Sequence, residues 1–182
     1  MNINQAAPGW RERCVRDGKA PKTLSAYRGQ VVTLKKVAGS YRLDQMTPKR
    51  FESIDRKLEK LGKAPGTRRN ILAAASAITK HAQFEEIIPA APVVYRKPSV
   101  QGTRTSFSNG QIDMLLRACE TPRERLGISL GLMAGLRLSE AFRSRSTDAQ
   151  GCVLRVPRAK NGKSRSIPIP RALSELILEV AE

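Results

Sequence analysis

Aromatic residues make up only 4% of this 182-residue sequence, and Trp10 is its single tryptophan. That scarcity argues against a membrane-surface role, which needs Trp or Phe anchors on a basic amphipathic helix. Histidine is scarcer still: His81 stands alone inside a helical pattern, away from any nucleophile or ligand-type neighbour, and reads as a solvated or core residue. Cys14, Cys119 and Cys152 are far apart and lack a second metal-type residue nearby, so neither a disulfide framework nor a zinc site is indicated. No metal or cofactor is expected. No apolar run approaches ~18 residues, and Met1 to Trp10 lacks a basic segment followed by an apolar one. Neither a membrane span nor a secretory signal is therefore expected, and a cytoplasmic location is. Acidic side chains are short as well, with 16 Asp plus Glu against 33 Lys plus Arg, a net charge of +17. Such an excess calls for an anionic partner, and nucleic acid leads.

With 40% hydrophobic residues the chain can bury a core. Residues 1 to about 95 read as all-helical. Thr23 is expected to cap a helix from Leu24 to about Ala38, with Leu24, Tyr27, Val31, Leu34 and Val37 or Ala38 on one face and Gly39 closing it. Thr47 followed by Pro48 is an N-cap with proline at the first helical position, and Phe51, Ile54, Leu58 and Leu61 carry the apolar face until Gly62. Ala64-Pro65-Gly66 reads as a break, after which Thr67 caps a helix through about Phe84 lined by Ile71, Leu72, Ala75, Ile78 and Ala82. These three helices make a small bundle.

Between Pro89 and Thr105 proline and small residues take over, and the domain boundary is placed there: 1–95 as the helical domain, 96–106 as linker and 107–182 as the second domain. Ser108 and Gln111 form a capping-box pattern for a helix with Ile112, Leu115, Leu116 and Cys119. Thr121-Pro122 opens another through Met133, apolar enough to suggest burial on most sides, with Gly135 ending it. After a short helix around Ser139 to Arg145, capped by Ser139, the pattern changes to period two. Val153, Leu154 and Val156 precede Asn161-Gly162, a type I′ hairpin signal, and Ile167 and Ile169 follow. Pro170 ends the strand, and Arg171 to Val180 reads as a helix with Leu173, Leu176, Ile177 and Val180 on one face. No internal repeat is present.

Two places carry chemistry. In Gly135-Leu136-Arg137-Leu138-Ser139-Glu140 an arginine stands between two helix ends, where its planar fork can meet a phosphate or pair Glu140 as a structural clamp. In Lys160-Asn161-Gly162-Lys163-Ser164-Arg165 a hairpin tip carries several cations, suited to enter a groove or simply to protect a solvated edge. Thr67, Arg68, Arg69 and Asn70 combine helix-terminal amides with cations, and Lys19, Lys22, Arg28, Lys35 and Lys36 cluster around the preceding long helix.

In this order the elements resemble the tyrosine recombinase, or phage integrase, family from about Thr23 to the end. Thr23–Ala38, Met46-Thr47-Pro48 and Ala64-Pro65-Gly66-Thr67-Arg68-Arg69-Asn70 resemble the helices of its core-binding domain. Phe107-Ser108 through Cys119, Thr121-Pro122-Arg123-Glu124-Arg125-Leu126, and above all Gly135 to Glu140 look like the opening of its catalytic domain. The resemblance implies a mainly α chain: an N-terminal SAM-like core-binding bundle, then part of an α+β catalytic domain with a small sheet. Arg137 matches the family's first catalytic arginine, and Lys160, in Ala159 to Ile169, its hairpin lysine.

The implied reaction is DNA strand exchange through a 3′-phosphotyrosyl bond, with Arg137 stabilising charge on the phosphate and Lys160 supplying a proton to the departing 5′-oxygen. Lys22, Thr23, Arg28, Thr67, Arg68, Arg69, Lys163 and Arg165 are the expected DNA contacts. Double-stranded DNA is the implied partner, with a tetrameric synapse as the family's assembly. The family's His-x-x-Arg pair, its further His or Trp and its nucleophile fall beyond the hairpin and its helix, whereas Tyr27, Tyr41 and Tyr95 all precede Arg137. This chain alone is therefore expected neither to cleave nor to join DNA, and its last helix is expected to leave apolar surface needing a cover. A non-catalytic DNA-binding accessory or inhibitor is the alternative. A basic RNA-binding or ribosome-associated protein explains the charge equally, but not the settings of Arg137 and Lys160.

Overall fold

A computed structural model of the chain describes residues 1–92, 105–157 and 164–181. It divides into two compact units, Met1–Gly102 and Thr103–Glu182. The architecture is mainly helical with one small antiparallel sheet.

The first unit has a helix that the sequence reading left out. Helix α1 (Ile3–Arg16) opens with a reciprocal cap: the Asn2 side chain accepts from the Gln5 amide at 3.0 Å, and the Gln5 side chain accepts from the Asn2 amide at 2.9 Å. Its buried face is Ile3, Ala6, Ala7, Trp10 and Cys14, a helical spacing disguised by two alanines and by Pro8 inside the helix. The Trp10 ring meets Tyr27 at 5.0 Å between centroids, tying α1 to α2 (Pro21–Ala38). Helices α3 (Pro48–Lys60) and α4 (Pro65–Phe84) complete the bundle. Its core draws on α1 through Ile3 and Trp10, α2 through Leu34, α3 through Phe51, Ile54 and Leu58, and α4 through Ile71, Ala75 and Ile78.

Helices α2 and α4 start earlier than expected, and for the same reason. Pro21 and Pro65 occupy first-turn positions, where a missing amide hydrogen costs no helical bond, so the residues N-terminal to Thr23 and Thr67 are helical. The caps are Ala20 and Ala64, neither with a side-chain hydrogen bond, and neither threonine is a cap. Thr47 does cap α3, accepting from the Arg50 amide at 3.4 Å. Leu61, expected on the buried face, is exposed. Gly39 follows α2 in right-handed helical geometry, so it is not a left-handed stop. It is needed for closeness: a Cβ there would collide with the Asn4 side chain and the Lys35 carbonyl.

In the second unit α5 (Asn109–Arg117) and α6 (Pro122–Ala134) begin with the expected reciprocal caps at Ser108–Gln111 and Thr121–Glu124. Gly135, at φ +59°, ends α6 in the left-handed region. Helix α6 is not buried on most sides as its composition suggested. Ser129, Leu130 and Ala134 face the core while Leu132 and Met133 are exposed, and α5 has no buried residue. The short helix is α7 (Leu138–Ala141), capped by Arg137 and not by Ser139.

Strands β1 (Ala149–Gln150), β2 (Val153–Val156) and β3 (Arg165–Pro168) form an antiparallel sheet in the order β1-β2-β3, followed by α8 (Arg171–Ala181). On β2, Leu154 and Val156 are buried and Val153 and Arg155 exposed, the alternation of a half-covered sheet. The core joins Leu130, Ala134 and Leu136 to Leu154, Val156 and Ile169 from the sheet segment and Leu173 and Ile177 from α8. The expected Asn161-Gly162 turn and most of the expected linker lie outside the described residues.

Candidate functional site

The end of α6 builds the site. Gly135 reverses the chain, Leu136 is buried and anchors the turn, and Arg137 follows as the residue that begins α7. The Leu136 amide donates to the Leu130 carbonyl at 3.2 Å, which pins the corner. Sequence spacing alone made Glu140 a partner for Arg137. The structure adds a third member from 25 residues away: the β2–β3 register sets Val156 opposite Arg165, and the Arg165 guanidinium reaches Glu140.

Glu140 is 6% exposed, and its carboxylate is saturated with donors. Its Oε2 accepts from the Arg137 amide at 3.0 Å and from Arg165 Nη2 at 2.8 Å, while Oε1 accepts from Arg137 Nη1 at 3.0 Å and from Arg165 Nη1 at 3.1 Å. The hydrogen bonds from Arg165, then the one from the Arg137 amide, hold the carboxyl down to about 2 against an ordinary 4.5. One carboxylate thus serves two guanidiniums and leaves a net positive charge. The Arg137 side chain is 59% exposed and gives Glu140 only its Nη1, so the rest of its donor fork faces outward. Of the two alternatives in the sequence, the clamp on Glu140 is present, and most of the Arg137 side chain stays exposed beside it. A planar guanidinium fixed on one edge and open on the other suits the non-bridging oxygens of a phosphate.

Arg165, one of the expected DNA contacts, is bound edge-on to Glu140, and its side chain is 34% exposed. Lys160 and Lys163 lie outside the described residues.

In the first unit Lys22, Arg28, Thr67 and Arg69 are exposed, Thr23 is half-buried, and each is placed by α2 or α4. Arg68 departs from expectation. Its side chain is 14% exposed, with Nη1 against Glu59 and Nε 3.2 Å from Asp55 Oδ1 without a hydrogen bond there, so it links α4 to α3 by charge. The sequence pattern gave no sign of this, because Asp55 and Glu59 lie one turn apart on a different helix.

Among the described residues no group of His, Cys, Asp and Glu could hold a metal ion, and no helix is long and apolar enough to cross a membrane. Cys14, Cys119 and Cys152 are free thiols.

No protein-family model and no curated protein matches the chain. Solved structures do. A lambda integrase tetramer bound to a Holliday junction superposes with a TM-score of 0.77 at 19% identity, covering 92% of this chain and 51% of that one. A lambda integrase dimer bound to a COC′ core site gives 0.81 at 18% identity, covering 98% and 66%. The fold is that of the tyrosine recombinases. A Tn1549 transposon integrase in complex with a circular intermediate DNA shares this integrase fold at 0.80 and 15% identity, covering 99% and 65%. The present chain spans about half to two thirds of these integrase chains.

Proposed function

We propose that this chain is the DNA-gripping part of an integrase-type recombinase: the N-terminal helical domain and the opening of the catalytic domain hold duplex DNA at a recombination core site, with Arg137 on the scissile phosphate. The observation that carries this is the Arg137–Glu140–Arg165 cluster, an outward guanidinium over a saturated carboxylate, occurring in a chain with the integrase fold.

Each part has a physical role. As a nucleophile adds to phosphorus, charge grows on the non-bridging oxygens, and a guanidinium already fixed in direction stabilises it with little reorganisation. Glu140 supplies that fixing, and because its carboxyl sits at about 2 it stays ionised at neutral pH and takes no part in proton transfer. Arg165 holds Glu140 through both carboxylate oxygens, beside the bonds Arg137 makes to it, and is a positioning residue. Lys160 is the expected donor to the departing 5′-oxygen. Lys22, Arg28 and Arg69 are the first unit's backbone contacts, suited to fix register on the duplex rather than to read bases.

The test is strand cleavage by the full gene product on a suicide substrate. A covalent protein–DNA adduct is expected, with Arg137→Ala lowering its rate by roughly a hundred- to a thousandfold, as for loss of one oxyanion donor. An adduct indifferent to Arg137→Ala contradicts the proposed role. Duplex binding with no adduct points to the accessory or inhibitor reading, and preference for structured RNA over duplex in competition removes the recombinase reading.

A further inference from the structure

Outside this cluster, the densest set of polar groups with no assigned role surrounds Tyr41. Its ring lies along α3, where Arg50, Ser53 and Lys57 recur at the spacing that puts them on one face. The Arg50 guanidinium carbon stands 4.8 Å and Lys57 Nζ 4.7 Å from the centroid of that one ring. Lys57 Nζ also donates to the Tyr41 hydroxyl at 2.7 Å and to the Val37 carbonyl at 3.1 Å, both uncharged acceptors.

Among the described residues, what is missing is a counter-anion. The nearby carboxylates are turned away or paired elsewhere: Glu52 lies about 200° around α3 from Arg50, Asp44 pairs with Arg42 at 2.7 Å, and Asp55 and Glu59, on a different flank of α3, meet Arg68. Neither Arg50 nor Lys57 takes part in an ion pair among the described residues, and the first turn of α3 carries no acid. Two cations are thus held against one ring with their remaining donors outward, both exposed, beside two hydroxyls. The tyrosine itself reports the local potential. Its hydroxyl is held below the ordinary tyrosine range, chiefly by hydrogen bonding to Lys57 and then to Ser53, so negative charge is already favoured at this spot.

We propose that Arg50, Lys57 and the hydroxyls of Tyr41 and Ser53 form a phosphate-binding site of the first unit, taking a phosphodiester of the nucleic-acid backbone. The site adds a contact on α3 to those placed on α2 and α4, and it rests on the reading of the chain as a DNA-binding protein. The chemistry fits one phosphate: Arg50 and Lys57 supply charge from two sides, and the hydroxyls donate to oxygens that face neither cation. It carries no base specificity, since nothing in the set distinguishes a base edge.

Two measurements on the full chain test this. In the first, duplex affinity is measured against salt concentration. Replacing Arg50 and Lys57 together by Ala is expected to weaken binding to all sequences alike and to lower the salt slope by about one, the signature of one lost phosphate contact. Arg11→Ala with Arg16→Ala, removing the same charge from α1, is expected to leave the slope unchanged. An unchanged slope in the α3 variant, or an equal fall in the α1 variant, overturns the site.

In the second, Tyr41 ionisation is followed by phenolate absorbance, with Tyr41→Phe subtracted to remove Tyr27 and Tyr95. A bound phosphate beside the ring must disfavour phenolate, so duplex DNA is expected to move the Tyr41 transition to higher pH, and inorganic phosphate to do the same at higher concentration. No movement with either overturns the site. Movement with phosphate in a chain that does not bind duplex supports the site and defeats the DNA-binding reading, so the two fail separately.

Discussion

The two units of this chain solve the same problem differently. In the first, apolar faces from α1 to α4 meet in one core, and the arginine nearest the start of α4, Arg68, is drawn in against Asp55 and Glu59 with its side chain 14% exposed. In the second, α5 buries nothing, Met114 and Phe142 are 72% and 82% exposed, and Arg137 shares one carboxylate with Arg165 while its side chain is 59% exposed. Both arginines stand near a helix start beside carboxylates, and one is largely buried while the other is largely exposed. The difference is one of charge: two carboxylates more than neutralise one guanidinium, whereas two guanidiniums on one carboxylate leave a positive charge over.

The sharpest way to break this contrast is to truncate comparable apolar residues in the two units. Ile54→Ala, in the closed core, is expected to cost about 2–5 kcal/mol of unfolding free energy in a denaturant titration. Next comes Gly135→Ala: the left-handed turn that places Arg137 is expected to resist a Cβ by about 1–2 kcal/mol, with the loss confined to the second unit's transition. Removal of the Thr121 cap by Ala is expected to cost about 1 kcal/mol, seen in the same transition. Met114→Ala, on the open face, is expected to stay within about 0.5 kcal/mol, and a core-sized loss there would show that α5 is covered after all.

Acid sharpens the contrast from another side. Glu140 has a folded pKa of about 2 against an ordinary 4.5, so its contribution is fully present above the unfolded value and is lost as pH falls through the folded one. The second unit is expected to lose stability between those two values, and Glu140→Gln to lower its melting temperature at neutral pH while flattening that acid dependence. A variant with the native acid profile would mean that Glu140 is not the group held down.

Much of the helical framework was legible before any coordinates. Thr47, Ser108 and Thr121 announced their caps, Gly135 its stop, and the stripes of α2, α3 and α4 their core faces, because those signals are local and repeat at the helical period. Helix α1 was missed because Ala6, Ala7 and Pro8 mask an apolar stripe that Ile3, Trp10 and Cys14 complete. The starts of α2 and α4 were misplaced because an Ala-Pro step reads equally as a break or as a first turn. In the site, Arg137 and its local partner Glu140 were readable from spacing. Arg165 on Glu140 and Arg68 on Asp55 and Glu59 were not, since each pairing depends on how separate elements pack. The same holds for Tyr41, which the sequence placed only before Arg137 and which α3 turns into the centre of a cationic cluster.

The most direct measurement sets the two arginines against each other on duplex DNA. Salt-dependent affinity of the intact chain is compared with that of Arg137→Ala and Arg68→Ala, at a temperature where both variants are folded. Loss of the exposed Arg137 is expected to take about one unit off the salt slope, and loss of the buried, paired Arg68 to leave it unchanged. A slope lowered by Arg68→Ala, or untouched by Arg137→Ala, would contradict the division of labour drawn here.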